Sequence, residues 1–400
     1  MTFSTAVSRS KSMPAPANAG RPAHTRRLSN ARRPANAGRP ANATGRTQTL
    51  TQMNGGSLPA DIKRTSALRR VPWRETVRFR SQCGSEGDVS AFELPRNAVP
   101  IRVEAIGGRA MTIAPGDIFL ATPGYRESTR WVSGGIPAGG LVPGDRYWVL
   151  ADCGVVGELV ADSPAENGHL GCVRYLGAVC GDHGETLNIS QFAEIGSREA
   201  DRGAPVYLLV GTSGNVGKTT AGVAVLRALR MKGHTTVIAL KATGTSAVGE
   251  MAIYQDFGAA QVFDCVDFGL PTTYPSGRQG IGDVFGDALD FCFSLSAGAL
   301  VVECGGDLFG ANVPEFLTCL KARRPDLKII LVAADALGAI GAKGVLAEIG
   351  LAISLIIGPC TDTPVLRERT EALCGIPAIN LAHGRKEGTQ SHLSGVAALE

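Results

Sequence analysis

One segment constrains this chain more than any other. Val206-Tyr-Leu-Leu-Val-Gly211 is apolar and β-rich, Thr212-Ser-Gly-Asn-Val-Gly217 is a Gly-containing loop, and Lys218-Thr-Thr220 opens a helical run to Lys232. A strand that turns through glycines into a helix points successive backbone N–H groups and the helix N-terminus at one spot, which makes an anion nest. The ending Gly217-Lys218-Thr219 adds a cation that reaches β- and γ-phosphates and a hydroxyl suited to Mg²⁺. The glycine that usually opens such a loop, five positions before Gly217, is Thr212 here, with Gly211 one residue earlier. The nucleotide-binding set is therefore read as Thr212, Ser213, Gly214, Asn215, Val216, Gly217, Lys218, Thr219 and Thr220.

The flanking sequence supplies the context that such a loop needs. Strands are predicted at Pro205–Val210, Thr235–Leu240, Ala299–Val302, Lys328–Val332, Ala352–Ile357 and Pro377–Asn380. Helices are predicted at Thr219–Lys232, Gly249–Phe257, Asp283–Ser296, Val313–Ala322, Ala339–Ile349 and Thr363–Leu373. Continuous Val/Ile/Leu runs alternating with helices imply a parallel sheet covered on both faces. Residues 98–190 read differently, as short strands punctuated by Pro-Gly and Gly-Gly pairs, which suggests a small barrel or sandwich. The fold class is thus α/β. A disordered basic tail and linker (1–94) leads into a small β-rich domain (95–200). An α/β nucleotide-binding domain (201–385) and a flexible C-terminal tail (386–400) follow.

Charge separates the tail from the rest. Residues 1–60 hold nine Lys and Arg and no acid, which leaves 31 Lys and Arg against 36 Asp and Glu beyond them. The tail repeats Asn-Ala-Gly-Arg-Pro-Ala at 18–23 and 36–41 and has too few large apolar residues to offset ordering entropy. It fits a dispensable tail with a start at Met53, an organellar transit peptide, or an arm that touches nucleic acid through phosphates. Composition does not choose among the three, and nucleic acid is not the expected partner. No apolar run approaches membrane-spanning length, and the ten cysteines form no CxxC pair. A disulfide scaffold and a zinc ribbon are therefore not expected. The expectation is a cytoplasmic protein without a membrane partner.

Three segments together resemble dethiobiotin synthetase and its relatives among the phosphate-loop ATPases. They are the stretched loop Gly211-Thr-x-x-x-Val-Gly-Lys-Thr219, Ala239-Leu-Lys-Ala-Thr-Gly-Thr245 and Val302-Glu-Cys-Gly-Gly-Asp-Leu308. The latter two are also similar to segments of the DUF1611 family, which includes an amino-acid N-acetyltransferase. The resemblance covers roughly residues 204–382. It implies ATP and Mg²⁺ as cofactors, with Lys218, Lys241 and Glu303 as catalytic residues. The implied metal ligands are Thr219, Glu303 and an acid early in the helix after the second strand. Asp256 is the nearest match in spacing and Glu250 the second choice. It also implies a base contact near Pro359. Relatives commonly dimerise, so a homodimer is carried as an expectation. Ser213, Gly214 and Asn215 stand where that family places acidic or hydroxyl side chains, and Cys304 replaces a glycine, so the substrate differs.

Other segments leave alternatives open. Tyr125–Trp131, with Arg126, Glu127 and Arg130, is either a solvated turn or a substrate-facing loop. Val266–Arg278, rich in hydroxyls and ending in Arg278, is either a connecting loop or a substrate loop. Asp335 and Lys343 are read as structural. The functional reading is an enzyme that uses ATP and Mg²⁺ to activate a small-molecule carboxyl or carbamate-type group for ligation or transfer. An N-acyltransferase and a nucleotide switch are the alternatives. The loop lacks the second lysine that switch relatives carry.

Overall fold

Five of the six predicted runs of the second half lie side by side in a six-stranded parallel sheet, whose sixth strand is Gln261–Asp264. The structure, a computed structural model, describes residues 55–381 except 60, 74–75, 129–131, 163–170 and 197–202. The readings made for residues 1–54, for Arg130 and for 386–400 lie outside those. The first half contributes β1 (Gly56–Pro59), β2 (Lys63–Arg64), β3 (Thr76–Arg80), β4 (Ser90–Glu93), β5 (Ile101–Glu104) and β6 (Ala110–Ile113). It continues with β7 (Ile118–Pro123), β8 (Arg126–Glu127), β9 (Val132–Gly135), β10 (Arg146–Ala151), β11 (Val155–Asp162) and β12 (Cys172–Cys180). Because β10 pairs with both β11 and β12, the path β12-β4-β7-β11 closes into a ring. Phe92, Phe119, Tyr147, Val156 and Tyr175 fill it, and the β5–β6 hairpin packs Ile101, Val103, Met111 and Ile113 into the same cluster.

This corrects the expectation of a disordered segment through residue 94. Strands β1 to β4 all fall within 56–94. In β3, Val77 and Phe79 are buried and Arg78 and Arg80 are exposed, so a half-buried strand hides inside an Arg-rich stretch.

The second half runs β13 (Val206–Gly211), α1 (Lys218–Met231), β14 (Val237–Thr243), α2 (Val248–Asp256), β15 (Gln261–Asp264), α3 (Ile281–Ser294) and β16 (Ala299–Cys304). It ends with α4 (Val313–Arg323), β17 (Lys328–Val332), α5 (Ala336–Glu348), β18 (Ile353–Ile357) and α6 (Pro364–Cys374). The order is β15-β14-β16-β13-β17-β18, all parallel. Within β13, Val206, Leu208 and Val210 face the cluster that includes α3, α4 and α5, while Tyr207 and Leu209 face the one that includes α1 and α2. Both faces are covered, which is why the run reads as continuously apolar. Strand β15 was not predicted, and Pro377–Asn380 makes a single bridge, Ile356 to Ala378, in place of a strand. Asp335 caps α5 through the Gly338 N–H, and Lys343 holds the Cys374 carbonyl, so both act structurally.

The two halves are tied together by polar contacts. Ala67, in a short 3₁₀ turn, joins the core of the parallel sheet. The next residue but one, Arg69, donates to Ser246 (2.9 Å), Asp264 (2.6 Å) and Asp267 (2.6 Å). Arg278 pairs with Glu86, Thr272 donates to the Tyr125 carbonyl, and Ser276 donates twice to Glu127. The Val266–Arg278 loop is therefore mainly a bridge to the first half. All ten cysteines are free thiols, six of them buried. Among the described residues, no helix is long and apolar enough to cross a membrane.

Candidate active site

The sheet order places the chemistry. Strand β13 feeds toward β14 on one side while β16 feeds toward β17 on the other, so their carboxyl ends bound the crevice where open α/β sheets take ligands. Leu209 of β13 is in register with Glu303 of β16, and Lys241 of β14 pairs with Glu303 from the other side.

The phosphate loop closes this crevice. Asn215 (φ 57°) and Gly217 (φ 98°) are in the left-handed region, which turns the loop back onto its strand. Helix α1 starts at Lys218 with no side chain capping its first turn and no acid within it, so those amides are available to an anion. The Lys218 ammonium donates to the carbonyls of Ser213 (2.9 Å) and Gly306 (2.7 Å). Gly211 lies against it, and a Cβ there would come within 2.9 Å of Nζ. Burial pulls Lys218 below the ordinary lysine value, and Glu303 opposes this.

Glu303 is the buried hub. It accepts from the Thr219 hydroxyl (3.2 Å) on one oxygen and the Tyr254 hydroxyl (2.7 Å) on the other. Burial raises its carboxyl above the usual range, while Lys241 and the Tyr254 hydroxyl counter that shift. Lys241 is paired with Glu250 from the first turn of α2. Burial disfavours its charge, but Glu250 and Glu303 outweigh that and hold it protonated well above the ordinary lysine range.

The loop and its neighbours open on a cavity of about 1030 Å³. Gly214, Asn215, Gly217, Lys218, Thr219, Thr220, Lys241, Glu250 and Glu303 line one part of it. Arg126, Glu127, Ser128 and Asp152 from the first half line another, so the described part of the Tyr125–Trp131 segment faces the cavity. Tyr274 is the one residue of Val266–Arg278 on the wall. Thr212, Ser213 and Val216 of the expected nucleotide-binding set do not line the cavity, and the Ser213 carbonyl holds Lys218. Thr212 bonds to Val332 and Ala334, and Val216 is buried in the core.

Two expected residues are not brought here. Asp256 is exposed at the far end of α2, six residues beyond Glu250 and so ~9 Å along the axis, whereas Glu250, the second choice, lines the cavity and pairs with Lys241. Pro359 is exposed in the turn after β18 and does not line the cavity. Sequence reasoning missed Asp152 and Glu104. Glu104 accepts from the amides of Val248 (3.1 Å) and Gly249 (2.7 Å), fixing the start of α2 from the other half.

A nucleotide and Mg²⁺ fit this site. The uncapped amides and the carbonyl-held ammonium suit phosphate. Thr219 and Glu303 form an oxygen pair suited to Mg²⁺, a hard cation that keeps several waters and phosphate oxygens as ligands. Among the described residues no three His, Cys, Asp or Glu side chains converge as a self-sufficient metal cluster.

The parallel sheet with a strand, Gly-containing loop and helix at its switch point defines a phosphate-loop NTPase fold. No family model and no curated protein matches the chain. Among solved structures it is similar to the signal recognition particle receptor FtsY of Elizabethkingia anophelis in complex with GDP, at 16% identity over 41% of this chain and 51% of that one, TM-score 0.29. It is also similar to cell division protein FtsY of Thermotoga maritima, at 21% identity over 48% and 66%, TM-score 0.33. Chloroplast FtsY of Physcomitrella patens shares 17% identity over 52% and 69%, TM-score 0.33. The chain thus spans about half the length of the first of these. Likeness of this degree carries no functional inference.

Proposed function

We propose that this chain is an enzyme that uses ATP and Mg²⁺ to activate a small-molecule carboxyl or carbamate-type group for ligation or transfer, in the manner that the dethiobiotin synthetase resemblance implies. One observation carries it. The cavity is walled by the phosphate loop on one part and by polar side chains of the first half on another, which leaves room for a second reactant.

Phosphates are held by the amides from Gly214 to Thr220 and by Lys218, and the metal by Thr219 and Glu303. Bound Mg²⁺ supplies neutralisation of phosphoryl charge. Lys241 remains protonated across the neutral range and meets negative charge that grows on the transferring oxygens. Glu250 balances that ammonium, and Tyr254 fixes the Glu303 carboxylate.

Calorimetric titration of ATP and of GTP, each with and without Mg²⁺, into wild type and Lys218→Ala tests this. Mg²⁺-dependent binding to wild type that falls by two orders of magnitude or more in the variant is expected. Preference for GTP would change the nucleotide but not the site. Negligible binding in both proteins would overturn the reading. The DUF1611-like alternative would then be taken up by titrating acetyl-CoA.

A further inference from the structure

Arg126 is out of keeping with its surroundings. It opens β8 and projects from the rim of the barrel into the cavity wall, where its guanidinium is largely buried. Its partner is the Leu150 carbonyl. Among the described residues no carboxylate lies within ion-pair distance of it, although Arg69, Arg174, Arg278 and Arg323 all have such partners. A guanidinium has five donors in a planar fork, and burying it with one carbonyl leaves most of them unmatched. They are not sealed off, since the one buried, partnerless side-chain atom among the described residues is the Thr65 hydroxyl. The remaining donors therefore open on the cavity. Nearby, Asp152 and Glu127 line the same wall, and Asp152 has no hydrogen-bonded side-chain partner among the described residues. Its field acts on Arg126 without contact.

We propose that Arg126 is the docking point for a carboxylate of the second reactant, a group that binds without reacting while another part of the molecule faces Lys241 and the phosphate loop. This rests on the enzymatic reading above. The planar fork matches both carboxylate and phosphate. Asp152 and Glu127 on the same wall select between them, because they repel the two charges that a phosphate dianion brings to one point more strongly than the single charge of a docked carboxylate group. The reactant is therefore a small molecule with at least one carboxylate beyond the group that is activated.

The probes are succinate, glutarate and inorganic phosphate, titrated into the full chain with and without a saturating Mg²⁺ complex of a non-hydrolysable ATP analogue. At least one dicarboxylate should bind wild type and phosphate should not compete for it. Arg126→Ala should weaken that dicarboxylate by roughly 30-fold, the loss expected for a charge-assisted contact. Arg126→Lys should recover part of it. Affinity for the nucleotide analogue should stay within twofold in both variants, which also shows that they fold. Unchanged dicarboxylate affinity in Arg126→Ala, binding of neither dicarboxylate by wild type, or a preference for phosphate would each overturn the proposal. Loss of analogue binding by wild type would instead strike at the nucleotide reading, and the nucleotide-free titration would still decide the role of Arg126.

Discussion

The Glu303 carboxylate depends on a glycine in α1, two residues past the end of the phosphate loop. Gly222 sits on α1 where an added Cβ would stand 2.0 Å from the Tyr254 hydroxyl, and that hydroxyl holds one Glu303 oxygen. In an ordinary exposed helix, Gly→Ala is stabilising by about 1 kcal/mol. Here the tyrosine ring, itself fully buried, would have to move. Gly222→Ala is expected to destabilise by about 1–3 kcal/mol, as overpacking does, and to raise the Mg²⁺ concentration needed for nucleotide binding. Tyr254→Phe should cost less, about 1 kcal/mol for one hydrogen bond, while producing the same Mg²⁺ effect. Urea denaturation and Mg²⁺ titration of both variants separate the two contributions. A more stable Gly222→Ala protein would show that the ring has somewhere to go.

Helix α2 shows how an element can be set by residues that its own sequence does not reveal. Its first two amides are taken by Glu104 from the other half, and its third residue, Glu250, thereby faces Lys241. A carboxylate on first-turn amides is the usual work of an N-cap, worth about 0.5–2 kcal/mol. Glu104→Ala should lose that much in urea denaturation and Glu104→Gln distinctly less. Loss no larger than for an exposed glutamate would show that α2 holds itself. The same contrast explains what was readable beforehand. The runs that became β13, β14, β16, β17 and β18 are buried on both faces, so their apolar continuity marks them in one dimension. β15, with exposed Gln261 at the sheet edge, lacks it. β3 is hidden by the arginines that dominate its local composition, although the alternation Val77-Arg-Phe-Arg80 is the pattern of a half-buried strand. The phosphate loop is contiguous in sequence and could be recognised there. Arg126, Asp152 and Glu104 reach the site only because the barrel docks on the parallel sheet, and no local pattern encodes that.

That docking concentrates charge at one residue. Arg69, from a segment that composition assigns to the tail, is buried between Asp264 and Asp267, and Asp264 also takes the Ser246 hydroxyl. Burial pushes the Asp264 carboxyl up, yet Arg69 more than reverses this and holds it below the usual range. Burial wins at Asp267, which sits above its ordinary value despite the same guanidinium. The depressed Asp264 contributes stability that is present above the unfolded carboxyl value of about 3.9 and disappears as pH falls through its lower folded value. Removing Arg69 leaves buried Asp264 without its cation and Asp267 with only the more distant Arg70 guanidinium at 3.9 Å, and breaking a buried pair in this way typically costs about 3–5 kcal/mol. Both would then titrate above the unfolded value. Each would be neutral at low pH, and its penalty would grow as pH rises from about 4 toward the raised folded value. Arg69→Ala should accordingly lie furthest below wild type near pH 8 and draw closer to it near pH 4, by urea denaturation at both. Arg69→Lys, with one point charge in place of a fork, should fall between. A deficit for Arg69→Ala that is equal at the two pH values would mean that lost packing, and not the two aspartates, joins the halves.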